Sequence, residues 1–217
     1  MFCLMKNLIT YVLVIGISSI ISAQNTEQKT NYCDEVSHRI KNQNPFYDFE
    51  EVSLSSEETM MDYNSQSQKL KISGTVFLPD GMTPAKDVII FIQQADQNGE
   101  YTVITNSEKV YVKNRLWVKT DENGKYTINT YIPGSTNKPL TYPHELQPMH
   151  IHAMIKEPGK QEYALYRMMF ENDPLITKLC RKRLKRKNID SILELKTEGD
   201  IQIATKNIVL EAQSESL

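Results

Sequence analysis

The stretch LKISGTVFLPDG, residues 70–81, alternates apolar and polar positions and ends in the turn sequence Pro79-Asp80-Gly81. Alternation with a period of two predicts a strand with one buried face, closed here by a turn. The next apolar run, VIIFIQ at residues 88–93, is continuous and rich in β-branched residues. Such a run is typical of a strand that is buried on both faces. Together the two runs predict the start of a β-sheet core at Leu70.

Shorter runs of the same kind recur through the rest of the chain. Two Asn-Gly pairs, Asn98-Gly99 and Asn123-Gly124, are strong hairpin signals. Many short strands at this spacing predict an all-β fold, an antiparallel β-sandwich with mixed topology. We expect the further strands at residues 116–120, 126–131, 150–155, 163–169, 192–195, 201–204 and 208–211.

One helix is expected, at residues 174–187. Asp173 would be its N-cap and Pro174 its first residue, a position that suits proline. The basic segment RKRLKRK, residues 181–187, would form its last turns, where cations complement the helix dipole. No aromatic residues interleave with these charges, so a solvated face is favoured over a nucleic-acid surface.

The composition is that of an ordinary globular domain. The chain has 217 residues and a formal net charge of -2, which excludes an overall basic field for nucleic acid. Lys6 precedes an uncharged apolar run at residues 8–21 and then Ala23. This order predicts a signal peptide at residues 1–23, hence an exported protein with no membrane attachment after cleavage. A retained N-terminal anchor is the alternative, although the run is short for a bilayer span.

The remaining chain divides by composition. Residues 24–69 are polar and predict an N-terminal arm, whose aromatic patch of Phe46, Tyr47 and Phe49 could dock on the main domain. Residues 70–212 would form the sandwich, and residues 213–217 a C-terminal tail. Spacing leaves open whether Cys33 and Cys180 form a disulfide, and an oligomer is compatible with the sequence.

His150 and His152 are the residues most indicative of chemistry. Side chains two apart in a strand point to the same face, so both imidazoles would face a cleft while Ile151 faces the core. Imidazole pairs of this kind bind transition metals. Spacing alone equally allows two exposed or hydrogen-bonded histidines on a polar face.

Five motifs in order resemble the intradiol ring-cleavage dioxygenases, the catechol and protocatechuate dioxygenase family, and especially its small exported members. They are GTVFLPDG, VIIFIQQADQNGEY, TDENGKYTINTYIPG, TYPHELQPMHIH and MMFENDPL. The resemblance covers residues 70–175 and extends more weakly to residue 210. It implies a dioxygenase that opens a small aromatic diol between its hydroxyl-bearing carbons, with O2 as the second substrate.

The same resemblance implies a ferric ion, Fe(III), held by Tyr101, Tyr142, His150 and His152. Hard phenolate oxygens favour Fe(III), which makes this donor set chemically consistent. Tyr131 is the fallback for Tyr142. The resemblance further implies that the substrate displaces Tyr142, which could then act as a base.

One position departs from the family pattern. Well-studied members carry an arginine three residues before the first histidine, and this chain has Gln147 there. Glutamine can donate a hydrogen bond to substrate but has no positive charge, which leaves the substrate open. Arg115 and Arg167 are possible replacements.

Two other functions fit parts of the sequence. A non-catalytic, transthyretin-like binding module would have a similar sandwich without metal. A zinc site could use His144, His150 and His152.

Overall fold

The computed structural model describes residues 44–105, 109–138, 143 and 145–212, and within them strands dominate. A 3₁₀ helix at Pro45–Glu51 precedes the strands, a second lies at Tyr63–Ser65, and one α-helix, α1, spans Lys178–Arg186. The predicted all-β class with one short helix is therefore confirmed. The strands are β1 (Glu57–Thr59), β2 (Lys69–Phe77), β3 (Ile89–Gln94), β4 (Val103–Thr105), β5 (Val110–Val112), β6 (Arg115–Lys119), β7 (Lys125–Tyr131), β8 (His150–Lys156), β9 (Tyr163–Ala164), β10 (Met168–Phe170), β11 (Ile192–Leu193), β12 (Lys196–Glu198), β13 (Ile201–Thr205) and β14 (Ile208–Val209).

The described strands form two six-stranded sheets and a small β4-β5 ribbon. The first sheet has the order β1-β7-β2-β13-β12, with β14 also on β2, and the second has β11-β10-β8-β3-β6, with β9 on β8. The long central pairs β2-β7, β3-β6 and β3-β8 are antiparallel. Parallel pairs at β1-β7, β2-β13, β2-β14 and β10-β11 give the mixed topology.

The core lies between the two sheets and follows from the alternation in the sequence. Leu70 and Ile72 of β2 are fully buried, as are Ile92 of β3 and Ile151 and Ile155 of β8. They belong to one hydrophobic cluster. A β-branched or leucine side chain at every second position therefore fixes which face of each strand is turned inward.

The outer face of β3 is buried at Phe91 and partly covered at Ile89 and Gln93, which agrees with the burial on both faces predicted from the run at residues 88–93. Phe91 packs on this face with Trp117 of β6, and both are covered by Phe46 and Tyr47 of the first 3₁₀ helix. The indole N–H of Trp117 donates to the carbonyl of Phe46 at 2.8 Å. The predicted docking of the aromatic patch is thus confirmed, and the segment after it adds β1 to the first sheet.

The helix begins later than predicted, and Asp173 is not its N-cap. Residues 174–176 form a turn, and Thr177 caps α1 by accepting a hydrogen bond from the amide of Cys180. The carboxylate of Asp173 points inward instead, where it accepts hydrogen bonds from the amides of Met149 and Leu175. No helix in the described residues is long and apolar enough to cross a bilayer.

The two Asn-Gly turns form, but neither joins two paired strands, so the hairpin prediction was wrong. The turn at Gly124 connects β6 and β7, which lie in different sheets, and the turn at Gly99 follows β3, which pairs with β6 and β8. In each turn an aspartate carboxylate, Asp96 in one and Asp121 in the other, accepts hydrogen bonds from the backbone amides two and four residues further along the chain. The side chain thereby closes the turn without a partner strand.

Replacing Phe46 by alanine tests whether the aromatic patch is part of the folded core. We expect the free energy of unfolding to fall by about 3 kcal/mol, as for other fully buried phenylalanines. Urea unfolding measures it. Leu179→Ala, on the exposed face of α1, is the control and should change stability by less than about 0.5 kcal/mol. Equal effects of the two variants would contradict the docking.

Candidate metal centre

The first residues of β8 carry the two histidines on one face. His150 pairs with Met169 of β10, His152 pairs with Gln93 of β3, and Ile151 between them is fully buried in the core. The Nε2 atoms of the two imidazoles are 3.1 Å apart and their rings stand at 83°. Two nitrogens that bind one cation at about 2.1 Å lie about 3 Å apart when they are at right angles. The shared face is confirmed, and the two Nε2 atoms converge.

Hydrogen bonding and burial prepare these imidazoles to act as neutral ligands. The Nδ1 atom of His150 lies 2.7 Å from the carbonyl of Pro148 and donates to it, which leaves the Nε2 lone pair facing the Nε2 atom of His152. Burial lowers the pKa of His150, and it lowers the pKa of His152 to about 4 with a further contribution from His150. Both rings are therefore neutral at pH 7.

Tyr101 lies beside the histidines with its hydroxyl buried. The rings of Tyr101 and His152 have centroids 6.4 Å apart. The hydroxyl has no hydrogen-bond partner among the described residues, and burial raises the pKa of Tyr101 while Arg167 opposes that shift. A buried polar group without a partner costs about 1–3 kcal/mol. A cation shared with the two imidazoles would remove that cost, so this donor set fits a metal.

Two glycines position the backbone turn that precedes Tyr101. Gly99 has φ +84°, and a Cβ there would meet the carbonyl oxygen of Ser135 at 2.0 Å. A Cβ on Gly134 would meet the amide nitrogen of Gly99 at 2.4 Å. The turn before Tyr101 therefore packs directly on the backbone leading to Thr136, and only glycine allows the approach.

These residues surround a pocket of about 450 Å³, which is large enough for one substituted aromatic ring. It is partly open to solvent. Its lining is Gly99, Tyr101, Thr136, Asn137, Gln147, His150, His152 and Arg167.

The structure places the other candidate residues as follows. Gln147 lines the pocket, whereas Tyr131 is buried in the core and does not line it. Tyr142, His144 and Cys33 lie outside the described residues. Arg115 is bound to Asp48 and stacks on Tyr111, away from the pocket, so of the two possible arginines only Arg167 reaches it.

The structure describes both ends of the segment that carries Tyr142, at residues 137–138 and 145–147, and these ends meet at the edge of the pocket. Asn137 and Leu146 form an antiparallel bridge, and the amide of Lys138 donates to the carbonyl of Glu145. The amide of Gln147 donates to the carbonyl of Thr136 at 2.7 Å. The described residues contain no group of three histidine, cysteine, aspartate or glutamate side chains that could hold a metal.

Asp173 supports the start of β8, a role that the sequence did not predict. Its carboxylate is almost fully buried, and one oxygen accepts the amide of Met149, directly before the first histidine. The same Asn-Asp-Pro sequence suits both a helix cap and a turn, and only the structure shows that this carboxylate accepts hydrogen bonds from the amides of Met149 and Leu175.

Fold and pocket together define a β-sandwich with a candidate metal centre, and comparison with known proteins identifies its family. A family model described as Dioxygenase (Dioxygenase_C) matches residues 43–211, most of the chain. The chain therefore belongs to the intradiol dioxygenase family, as its motifs predicted.

Solved structures share the fold at low sequence identity. The dioxygenase domain of a carbohydrate-binding fusion protein from Streptomyces sp. SirexAA-E is 20% identical, with a TM-score of 0.53 over 75% of this chain and 93% of that domain. Catechol 1,2-dioxygenase from Pseudomonas arvilla C-1 is 18% identical, with a TM-score of 0.57 over 76% of this chain and 60% of that protein. Catechol 1,2-dioxygenase from Acinetobacter sp. ADP1 is 16% identical, with a TM-score of 0.55 over 76% of this chain and 62% of that protein.

The chain thus spans about the length of the Streptomyces domain but less than two thirds of these two catechol dioxygenases. No curated protein matches the sequence.

Asp173→Asn tests whether the buried carboxylate holds the start of β8. Asparagine has one acceptor oxygen for two amides, so we expect a loss of about 1–3 kcal/mol in the free energy of unfolding. Amide hydrogen exchange at Met149 should become faster. Asp190→Asn is the control, because Asp190 is exposed and its ion pair with Lys206 is worth little. Unchanged exchange at Met149 would contradict the assignment.

Proposed function

We propose that the chain is an exported non-haem Fe(III) dioxygenase that cleaves a catechol-type aromatic diol between its hydroxylated carbons with O2. The observation that carries the proposal is the buried hydroxyl of Tyr101, which has no partner among the described residues, beside two converging imidazole nitrogens. Membership of the family supports ring-cleaving chemistry. The export step is proposed from residues 1–23, which lie outside the described residues.

The donor types favour ferric iron over zinc. Tyr101, His150 and His152 supply one phenolate oxygen and two imidazoles, and a hard phenolate stabilises Fe(III). Tyr142 would supply the second phenolate, as the family resemblance implies. A zinc site would instead need His144 as its third histidine and would leave the orientation of Tyr101 unexplained. Bound ferric iron would supply the Lewis acidity that makes a chelated diol susceptible to O2.

The protein's own residues would select and hold the diol. The pocket admits one aromatic ring beside Tyr101, and its opening to solvent admits O2 and releases product. The buried carboxylate of Asp173 and the carbonyl of Pro148 fix the strand start and the ring orientation of His150. Tyr142, once displaced by substrate, would accept a substrate proton.

Tyrosinate bound to ferric iron absorbs visible light, so colour is the first test. Protein reconstituted with ferric iron should be red and bind one iron per chain. Tyr101→Phe should weaken or shift the absorption band, since it removes one phenolate donor. Visible spectroscopy with iron analysis measures both properties.

Tyr166→Phe is the matched control, because Tyr166 is exposed and outside the pocket. It should leave the spectrum unchanged. A folded, colourless protein that takes up no ferric iron would defeat the proposal, and would favour the metal-free binding module. Tight uptake of zinc in place of iron would favour the zinc site.

Catechol turnover tests the reaction itself. We expect the iron-loaded protein to consume one O2 per catechol and to form a conjugated diene diacid, because both oxygen atoms enter the product. An oxygen electrode and the ultraviolet absorbance of the diene give the ratio. Oxidation of catechol to a quinone without ring opening would be evidence against this reaction.

A further inference from the structure

Arg167 brings a positive charge to the pocket from a break in the sheet. The sequence predicts one strand over residues 163–169, but the structure has two, β9 and β10, with residues 165–167 between them. Arg167 lies at the end of this break and lines the pocket together with Tyr101 and His152. It is the only pocket-lining residue with a formal charge among the described residues.

No described residue neutralises the charge of Arg167. Its Nη1 donates to the side-chain oxygen of Gln147 at 2.8 Å, and no carboxylate among the described residues forms an ion pair with it. A guanidinium has five N–H donors, so most remain for a ligand. Arg115 shows the contrast, because Asp48 lies 2.8 Å from its guanidinium and Tyr111 covers its face.

Gln147 is itself held from both sides. Its side-chain nitrogen donates to the carbonyl of Asn137 at 3.3 Å, while its oxygen accepts from Arg167. Its amide group thus connects the loop at Asn137 to the guanidinium. In this arrangement one of the two N–H groups of the Gln147 side chain is engaged by the protein, and its oxygen orients the arginine.

We infer that Arg167, oriented by Gln147, binds an oxyanion of the substrate at the mouth of the pocket. The inference rests on the proposed function, which supplies the diol as substrate. The oxyanion is either an ionised hydroxyl of the diol or an acidic substituent on its ring, and both present the same chemistry to a guanidinium. Well-studied family members carry arginine at position 147. In this chain Gln147 stands there instead, as the neutral hydrogen-bond partner of Arg167.

Ligand binding to the iron-free and the iron-loaded protein, measured by titration calorimetry, tests this inference. The probes are 4-nitrocatechol, which carries an ionised hydroxyl, 3,4-dihydroxybenzoate, which adds a carboxylate, and uncharged 1,2-dimethoxybenzene. Arg167→Met should weaken binding of at least one anionic probe about tenfold to a hundredfold. Binding of the uncharged probe should change less than about threefold, which a general loss of structure would not reproduce.

Gln147→Glu tests the positioning role without removing the guanidinium. The near-isosteric carboxylate would face Arg167 and neutralise it, so we expect the same selective loss for the anionic probes, and a smaller loss when Gln147→Glu is added to Arg167→Met. Equal losses in the two backgrounds would show that the new charge acts directly on the probe and would contradict the positioning role. Arg186→Met, which removes an exposed charge from α1 outside the pocket, is the matched control and should change binding less than about twofold.

The pattern of losses separates the two sources of the oxyanion. A loss for 4-nitrocatechol, with or without a loss for 3,4-dihydroxybenzoate, assigns Arg167 to the ionised diol, whereas a loss for 3,4-dihydroxybenzoate alone assigns it to a ring substituent. Anionic probes that bind Arg167→Met as tightly as the native protein would overturn the inference. If the protein takes up no iron but still binds the anionic probes in a way that depends on Arg167, the proposed function is defeated and the oxyanion subsite is retained.

Discussion

Ile151 is fully buried between the two sheets, and its neighbours in the strand must leave the core on the opposite face. His150 and His152 are those neighbours, and the alternation of a β-strand makes their shared direction unavoidable. The hydrogen bond from His150 to the carbonyl of Pro148 then selects which nitrogen is presented. Packing of one apolar side chain therefore orients both imidazoles, and the geometry of the pocket depends on it.

Other parts of the pocket are held by backbone packing. The close approach of Gly99 and Gly134 fixes the turn before Tyr101 against the loop that enters the pocket. The carboxylate of Asp173 ties the start of β8 to the turn before α1. These contacts make a preformed donor set of the kind that a metal centre needs.

The sequence predicted those features of the fold and the site that depend on the spacing of residue types within a single strand. The two-sided burial of β3 and the common face of His150 and His152 followed from residue types at fixed spacing, and the structure bears them out. The proximity of Tyr101 to His152 did not follow from spacing, because it depends on the pairing of β3 with β8 across a long stretch of chain. Motif order alone suggested it. The hairpin prediction failed because the strands that flank each turn pair with other strands, and the place of Arg167 depends on a strand break that apolar alternation does not reveal.

The central claim is that Tyr101, His150 and His152 bind one ferric ion in the pocket that Arg167 also lines. X-ray diffraction at the iron absorption edge, from crystals of the ferric-loaded protein, tests it most directly. We expect one anomalous peak at about 2 Å from the hydroxyl oxygen of Tyr101 and from both Nε2 atoms. A peak bound by the histidines but remote from Tyr101, or no peak in the pocket, would contradict the account.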